Sequence, residues 1–363
     1  MARLGQKVLA ATLGLALAAC GGDDDGAPDD GGDGAGADAT PPITIPVDAA
    51  VSSGPDAALN DAAPNDAAPL DAALTDGGPP DAAPPPDLRV VVSSMRTFAA
   101  AEEALDIDGD GDGDDRLGQF WREMEAATGR QAQVQLDAAL ASGAALHLVA
   151  IPAPPGGLVR ALLGQDQDGD PTDNFSGAEP FSIAPGTPLD GILDGQVSGQ
   201  AAVAGPGDIP LLLPVTGAVA APVLVRSVGT RLVAVLGDGS IEGRLGGALL
   251  SSDVADLVYP AVVLALNDVI AADCPTGPAS CADGSPGQAL LDAVDLDGDG
   301  ALDPNEVGQL PFVDELLASD LDLFDQEGAF NPNADGVPES LSYGLAVSGV
   351  GAAFALPGEP ALP

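Results

Sequence analysis

Near the C-terminal end of the chain, Asp295-Leu-Asp297-Gly-Asp299-Gly300-Ala301-Leu302-Asp303-Pro304-Asn305-Glu306 sets oxygen donors at a regular spacing. Counting from Asp295, positions 1, 3, 5, 9 and 12 are carboxylates, position 7 offers the Ala301 carbonyl, and position 6 is glycine. A hard cation such as calcium takes about six to eight oxygens, and a loop of this length supplies them from those positions, the last acid binding through both oxygens. Asp303 is expected to reach the ion through water, Gly300 to permit the bend, and Leu302 to anchor the loop in the core. An Asp-rich chain can produce Asp-x-Asp-Gly-Asp-Gly by composition alone. It does not readily also place an aliphatic residue at 8 and Glu at 12.

This pattern resembles an EF-hand calcium loop throughout. The resemblance implies a helix on each side, and residues 288–294 suit the entering one, with Leu290, Leu291 and Val294 at helical spacing. The exit departs from the family, because Gly308 and Pro311 cut it after one turn and a second helix restarts at Phe312. That departure puts in doubt the large helix opening of calcium sensors and favours a structural site.

A second loop, Asp106-Ile-Asp108-Gly-Asp110-Gly111-Asp112-Gly113-Asp114-Asp115, has acids at 1, 3 and 5 and glycine at 6. Position 12 is Leu117, or Gln119 when the frame starts at Asp108, so the closing acid is missing in both registers. Asp114 can contribute from position 9. The loop resembles the acidic loops of thrombospondin type-3 repeats, and Asp106, Asp108, Asp110, Asp112 and Asp114 are its candidate calcium ligands. Two weaker sets read first as solvated loops: Asp166, Asp168, Asp170 and Asp173, with Pro171 in place of the turn glycine, and Asp320, Asp322, Asp325 and Asp335. The last set is close enough in sequence to partner the loop at Asp295.

Other chemistry finds little footing. Cys274 and Cys281 close a short turn-rich loop and read as a disulfide. The lone histidine, His147, lies in the apolar run Leu146-His147-Leu148-Val149 and reads as a core or sheet residue rather than a general base. No Gly-x-Ser-x-Gly elbow and no free cysteine offers a nucleophile. Zinc would need three or four ligands, which two cysteines and a distant histidine do not supply. Paired carboxylates could still perform glycoside hydrolysis, since spacing alone does not exclude it among 56 acidic residues.

The charge balance is 56 acidic against 11 basic residues, a net −45. Nucleic-acid binding is close to excluded, because it needs basic side chains facing phosphate. A field of this sign recruits cations and resists non-specific association. The chain opens with Arg3, Lys7 and an apolar run over 8–19, too short to span a bilayer, and reads as a signal peptide over 1–19. Leu17-Ala18-Ala19-Cys20 resembles a bacterial lipobox, which implies acylation of Cys20, and Gly21 in the next position implies sorting to the outer membrane. Residues 20–88 are mostly Asp, Ala, Pro and Gly, with Asp56, Asp61, Asp66, Asp71, Asp76 and Asp81 every fifth residue. A period of five matches neither helix nor strand, so the segment is expected to be a disordered tether.

Residues 89–356 read as one domain, with a disordered tail over 357–363. Two helices are expected over 115–142, broken near Gly129, with Trp121, Met124, Val134, Leu136 and Leu140 as their apolar stripe. Strands are expected over 146–151, 158–163, 209–215, 219–225 and 231–236, with a type I′ hairpin turn at Asp238-Gly239. A long apolar helix follows over 253–271, kinked or split by Pro260. The last strand alternates Leu341, Tyr343, Leu345 and Val347 with Ser340, Ser342, Gly344, Ala346 and Ser348, as a half-buried strand does. The fold class is α+β: an antiparallel sandwich or barrel-like sheet with packed helices and an EF-hand-like calcium loop, preceded by the tether.

Lipobox, acidic linker and Asp-Gly loops together resemble uncharacterised bacterial lipoproteins of the same layout, a likeness that implies no activity. The expected protein is a non-enzymatic, calcium-binding, lipid-anchored protein of the outer membrane or cell surface, with a structural, adhesive or ligand-binding role. The membrane enters as a partner only through the N-terminal lipid. The alternatives are a secreted hydrolase using paired carboxylates and a carrier of an apolar ligand.

Overall fold

The computed structural model describes residues 87–153, 157–214 and 222–359. The signal segment, Cys20, the tether up to residue 86 and the last four residues lie outside them.

Among the described residues, alternating apolar residues and glycine-marked turns build nine strands: β1 (Leu88–Thr97), β2 (His147–Ile151), β3 (Gly157–Asp166), β4 (Phe181–Ile183), β5 (Ile192–Ser198), β6 (Ala201–Leu213), β7 (Val223–Gly237), β8 (Ser240–Leu250) and β9 (Ser340–Gly351). All neighbours are antiparallel, in the order β2-β1-β9-β8-β7-β6-β5-β3. Pairing of His147 with Leu163 and of Ala150 with Arg160 joins the two ends, so eight strands close into a barrel and β4 attaches to the far part of β3. The sheet with packed helices expected from sequence is therefore a closed barrel.

Inward residues such as Val92, Val149, Val159, Leu193, Leu211, Leu232 and Ile241 fill the barrel. They leave a cavity of about 40 Å³. An eight-stranded barrel is about wide enough for side chains alone to fill it.

Several expected elements change when the sheet is assembled. The expected strands 219–225 and 231–236 are not separate: residues 219–221 lie outside the described residues, and the rest of the first falls largely in the same strand as the second, β7, which is interrupted by a register shift between Val228 and Arg231 where Gly229 takes φ 59°. This bulge breaks the alternation that a sequence reading relies on. Inside it Ser227 hydrogen-bonds both Thr230 (2.5 Å) and the buried Tyr343 hydroxyl (2.7 Å). The hairpin at Asp238-Gly239 is present, with Gly237 paired to Ser240. Only Gly239 has positive φ (69°), so the turn is not type I′, which needs it at both central positions.

β9 is buried on both faces from Ser340 to Leu345, not half-buried. Its small-residue face is covered by the segment after β1, where a Cβ on Gly344 would meet Ala104 at 2.7 Å and Phe98 at 3.0 Å. Small residues there are what lets the segment approach.

Helices α1 (Arg116–Thr128) and α2 (Ala132–Ala141) occupy the connection from β1 to β2, and α1 ends at Gly129 in the left-handed conformation (φ 68°). Trp121, Leu136 and Leu140 are buried, but Val134 is 52 % exposed and does not belong to the stripe. Gln133 takes the inward position, its amide donating to the Met95 carbonyl (2.9 Å) and accepting from the Thr97 N–H (3.2 Å).

After β8 the chain continues as α3 (Ser251–Asp253), a π-helical turn over Val254–Val258, and α4 (Tyr259–Asp273). Pro260 sits in the first turn of α4. It lacks an N–H and crowds the preceding turn, and a widened turn before it accommodates both. Three short helices complete this connection: α5 (Pro286–Val294), α6 (Pro304–Val307) and α7 (Pro311–Leu316).

His147 is buried in the barrel wall, where its Nε2 accepts the Leu212 N–H at 3.1 Å. That N–H lies on β6 beyond the Asp208 pairing with Ile192 where β5 begins, so the imidazole stands in for a strand neighbour. Burial pushes its pKa down from 6.5 to about 4. The unfolded state thus binds the proton first as pH falls, and stability from the neutral ring is present above pH 6.5 and lost towards pH 4. At about 1.4 kcal/mol per pKa unit the loss is on the order of 3 kcal/mol. Denaturant unfolding of wild type and His147→Gln between pH 7 and 4 should differ by that slope, the variant being flatter; parallel curves would contradict it.

Candidate metal centres

Three connections carry the Asp-rich loops, and the same local device shapes each. In the loop that follows α5, Asp295 accepts the Gly298 N–H (2.8 Å), Asp297 the Asp299 N–H (3.1 Å) and Asp299 the Ala301 N–H (2.8 Å). The loop before α1 repeats this with Asp106 to Gly109 (2.6 Å), Asp108 to Asp110 (3.1 Å) and Asp110 to Asp112 (2.8 Å). Such short-range side-chain bonds hold Asp-rich turns against helix or sheet. Glycine supplies the positive φ at positions 4 and 6, as Gly298 (73°) and Gly300 (86°) in one loop and Gly109 (85°) and Gly111 (100°) in the other. At position 6 each glycine N–H also donates to the first aspartate's other oxygen, at 3.1 Å for Gly300 and 3.0 Å for Gly111.

The expected ligands converge only in part. Carboxylate oxygens of Asp295, Asp297 and Asp299 lie within 4.8 Å of one another, as do those of Asp106, Asp108 and Asp114. Asp110 and Asp112 stay exposed outside the second group. Asp303 and Glu306 form a capping box on α6, Asp303 accepting from Asn305 (2.7 Å) and Glu306 (2.9 Å) and Glu306 accepting from Asp303 (2.9 Å). The other Glu306 oxygen accepts the Leu296 N–H at position 2 (2.7 Å), which draws the buried carboxylate back over the loop. Each of these oxygens keeps a second lone pair for an ion.

Asp114 supplies what the second loop lacked at position 12. It accepts the Ile107 N–H, again at position 2 (2.6 Å), so it occupies the place that Glu306 takes in the first loop. Burial pushes its pKa up to about 7, Ile107 opposes the rise, and Asp108 and then Asp320 add repulsion.

Its neighbour Asp115, passed over in the sequence, is 2 % exposed and ties α1 to the sheet by accepting from Gly118 (3.1 Å) and from Gly344 on β9 (3.0 Å), with Arg122 at 3.5 Å. Burial raises its pKa to about 6 against those partners.

The set Asp320, Asp322, Asp325 and Asp335 does not partner the loop at Asp295. Asn333, from the same segment, donates to the Asp108 carbonyl (3.2 Å), and Leu321 and Leu323 pack with Ile107, so this segment covers the loop before α1. Position 8 of the first loop is held instead by α4: Asn267 accepts the Leu302 N–H (2.7 Å) and donates to its carbonyl (2.8 Å), doing the work of a paired strand. The joined Cys274 and Cys281 close the turn beside it, where Pro278 lies 2.7 Å from a Cβ placed on Gly300.

An open groove holds two further acids, Asp190 and Asp208, but Arg226 binds Asp208 at 2.5 Å. No family model matches the sequence, and no curated protein or solved structure does.

Asn267→Ala removes both bonds to Leu302 and should lower stability by about 1–3 kcal/mol, with weaker calcium uptake at the neighbouring loop. Denaturant unfolding and calorimetric titration measure the two effects.

Proposed function

We propose that the folded domain is a calcium-stabilised module with a structural or adhesive role, carried on an exported protein anchored by lipid at Cys20. The observation that carries it is the convergence of Asp295, Asp297 and Asp299 beneath a loop closed by Glu306. Carboxylates this close repel by about 1 kcal/mol per pair even in water, and more where partly buried. A doubly charged hard ion turns that repulsion into cross-links, and oxygen-only donors suit calcium over zinc or copper. The second centre, at Asp106, Asp108 and Asp114, has the same chemistry.

The exit from the first loop favours a structural site over a sensor. α6 is a single turn, and Tyr259 on α4 donates to its Pro304 carbonyl (2.6 Å), so little of it is free to swing. The carrier reading gains no support from a cavity of about 40 Å³, since ligand pockets run to about 300–1,000 Å³. The hydrolase reading gains none from a groove acid held by arginine.

Calcium at about a hundred times its dissociation constant adds about 2.7 kcal/mol per site, or roughly 5–10 °C of melting temperature for a domain of this size. Chelator should reverse the rise, and Glu306→Ala should remove one site's share. A melting curve indifferent to calcium and chelator would refute the proposal. Anchoring is checked separately: a fatty-acid label should enter the wild-type chain in a bacterial host and fail to enter Cys20→Ser.

A further inference from the structure

The connection from β3 to β4 gathers a third set of acids. Oxygens of Asp166, Asp168 and Glu179 lie within 4.8 Å of one another. The amide ladder recurs, Asp166 accepting from Asp168 and Gly169 (both 3.0 Å), Asp168 from Asp170 (2.8 Å) and Asp170 from Thr172 (3.1 Å). Pro171 at position 6 has no N–H, so Asp166 lacks the bond that Gly300 and Gly111 give to Asp295 and Asp106.

Glu179 is the informative residue. It is only 9 % exposed, yet among the described residues no donor and no basic side chain meets its carboxylate. Its oxygens still reach solvent, but a largely buried carboxylate with no donor, gathered among other acids, is a group that proteins commonly pair or place on a metal. Burial and then Asp173, Asp168, Asp166 and Asp170 all push its pKa up. The same loop leaves Oδ1 of Asp173 and both amide atoms of the wholly buried Asn174 without partners.

We propose that Asp166, Asp168 and Glu179, with Asp173 beside them, bind a further calcium ion, at a site separate from the two centres above. Magnesium keeps most of its waters and uses about one or two carboxylates, whereas calcium accepts more and in looser geometry. Glu179 also places the ion in the fold. Its carbonyl accepts the Ala353 N–H (3.0 Å), and the Phe181 N–H donates to the Ala353 carbonyl (2.8 Å). Phe181 and Phe354 then share a small outer core with Leu148 and Leu162. An ion on Glu179 therefore holds the chain that leaves β9 against the outside of the barrel.

Hydrogen exchange followed by mass spectrometry on the full chain, with and without calcium, tests this peptide by peptide. At calcium about ten times the dissociation constant, exchange over 167–180 and 352–356 should slow roughly tenfold in wild type. In Glu179→Gln, which keeps the shape and removes the charge, that protection should vanish while 295–306 stays protected, and calorimetry should count one ion fewer. Asp168→Asn should behave likewise. Protection of 295–306 with no calcium effect over 167–180, or protection of 167–180 that survives both substitutions, overturns the site and leaves the first centre standing. Protection over 167–180 without any at 295–306 supports it while removing the first centre.

Discussion

Closure of the sheet between β2 and β3 is the constraint from which the rest of the domain follows. With that ladder made, the eight barrel strands have no free edge, and their inward side chains pack into a core with a cavity of about 40 Å³. The acidic loops lie on the connections. Strand direction sorts these: β1, β3 and β8 run the same way in an antiparallel barrel, so the connections after them leave from one end. These are the three that carry the acidic loops. At the other end β7 turns into β8 through two residues and β5 into β6 through Gly199 and Gln200.

How much of this was legible depends on how local the signal was. The twelve-residue loop, its entering helix, the short exit and the cysteine pair were readable because each is written in consecutive residues, and the helices and sheet follow them closely. The bulge at Gly229 interrupts the alternation, so β7 reads as two strands in the sequence, and the small residues of β9 look polar, so it reads as half-buried. Their burial depends on Ala104 and Phe98, far away in sequence. Val134 departs from its expected place for a similar reason, since Gln133 is drawn inward by its bonds to β1, a contact with no helical periodicity.

The candidate centres show the same division. The first halves of all three loops are local motifs, and the sequence displays them. The closing acids are not local. Spacing offers Asp114 only as a position 9 ligand and does not point to Glu179, because it does not say which later acid folds back. A signal was nonetheless present in each case: an acid within a few residues of the loop's end, directly before a helix or strand that fixes it.

Closing acids from different positions have a physical consequence for what an ion can do here. A run of aspartates bonded to its own amides is a half-site that needs nothing from the rest of the protein. Glu306 belongs to α6, which Tyr259 ties to α4; Asp114 precedes Asp115, which ties α1 to β9; Glu179 precedes β4 and bonds the chain that leaves β9. Each closing carboxylate thus joins a self-contained turn to a separate tertiary contact. On the proposed function, an ion shared between half-site and closing acid would couple local loop order to packing around the barrel, because it offsets the mutual repulsion of those carboxylates. On the proposed function, the strongly acidic composition is a conditional design, in which cohesion at one end of the barrel would depend on a cation supplied from outside.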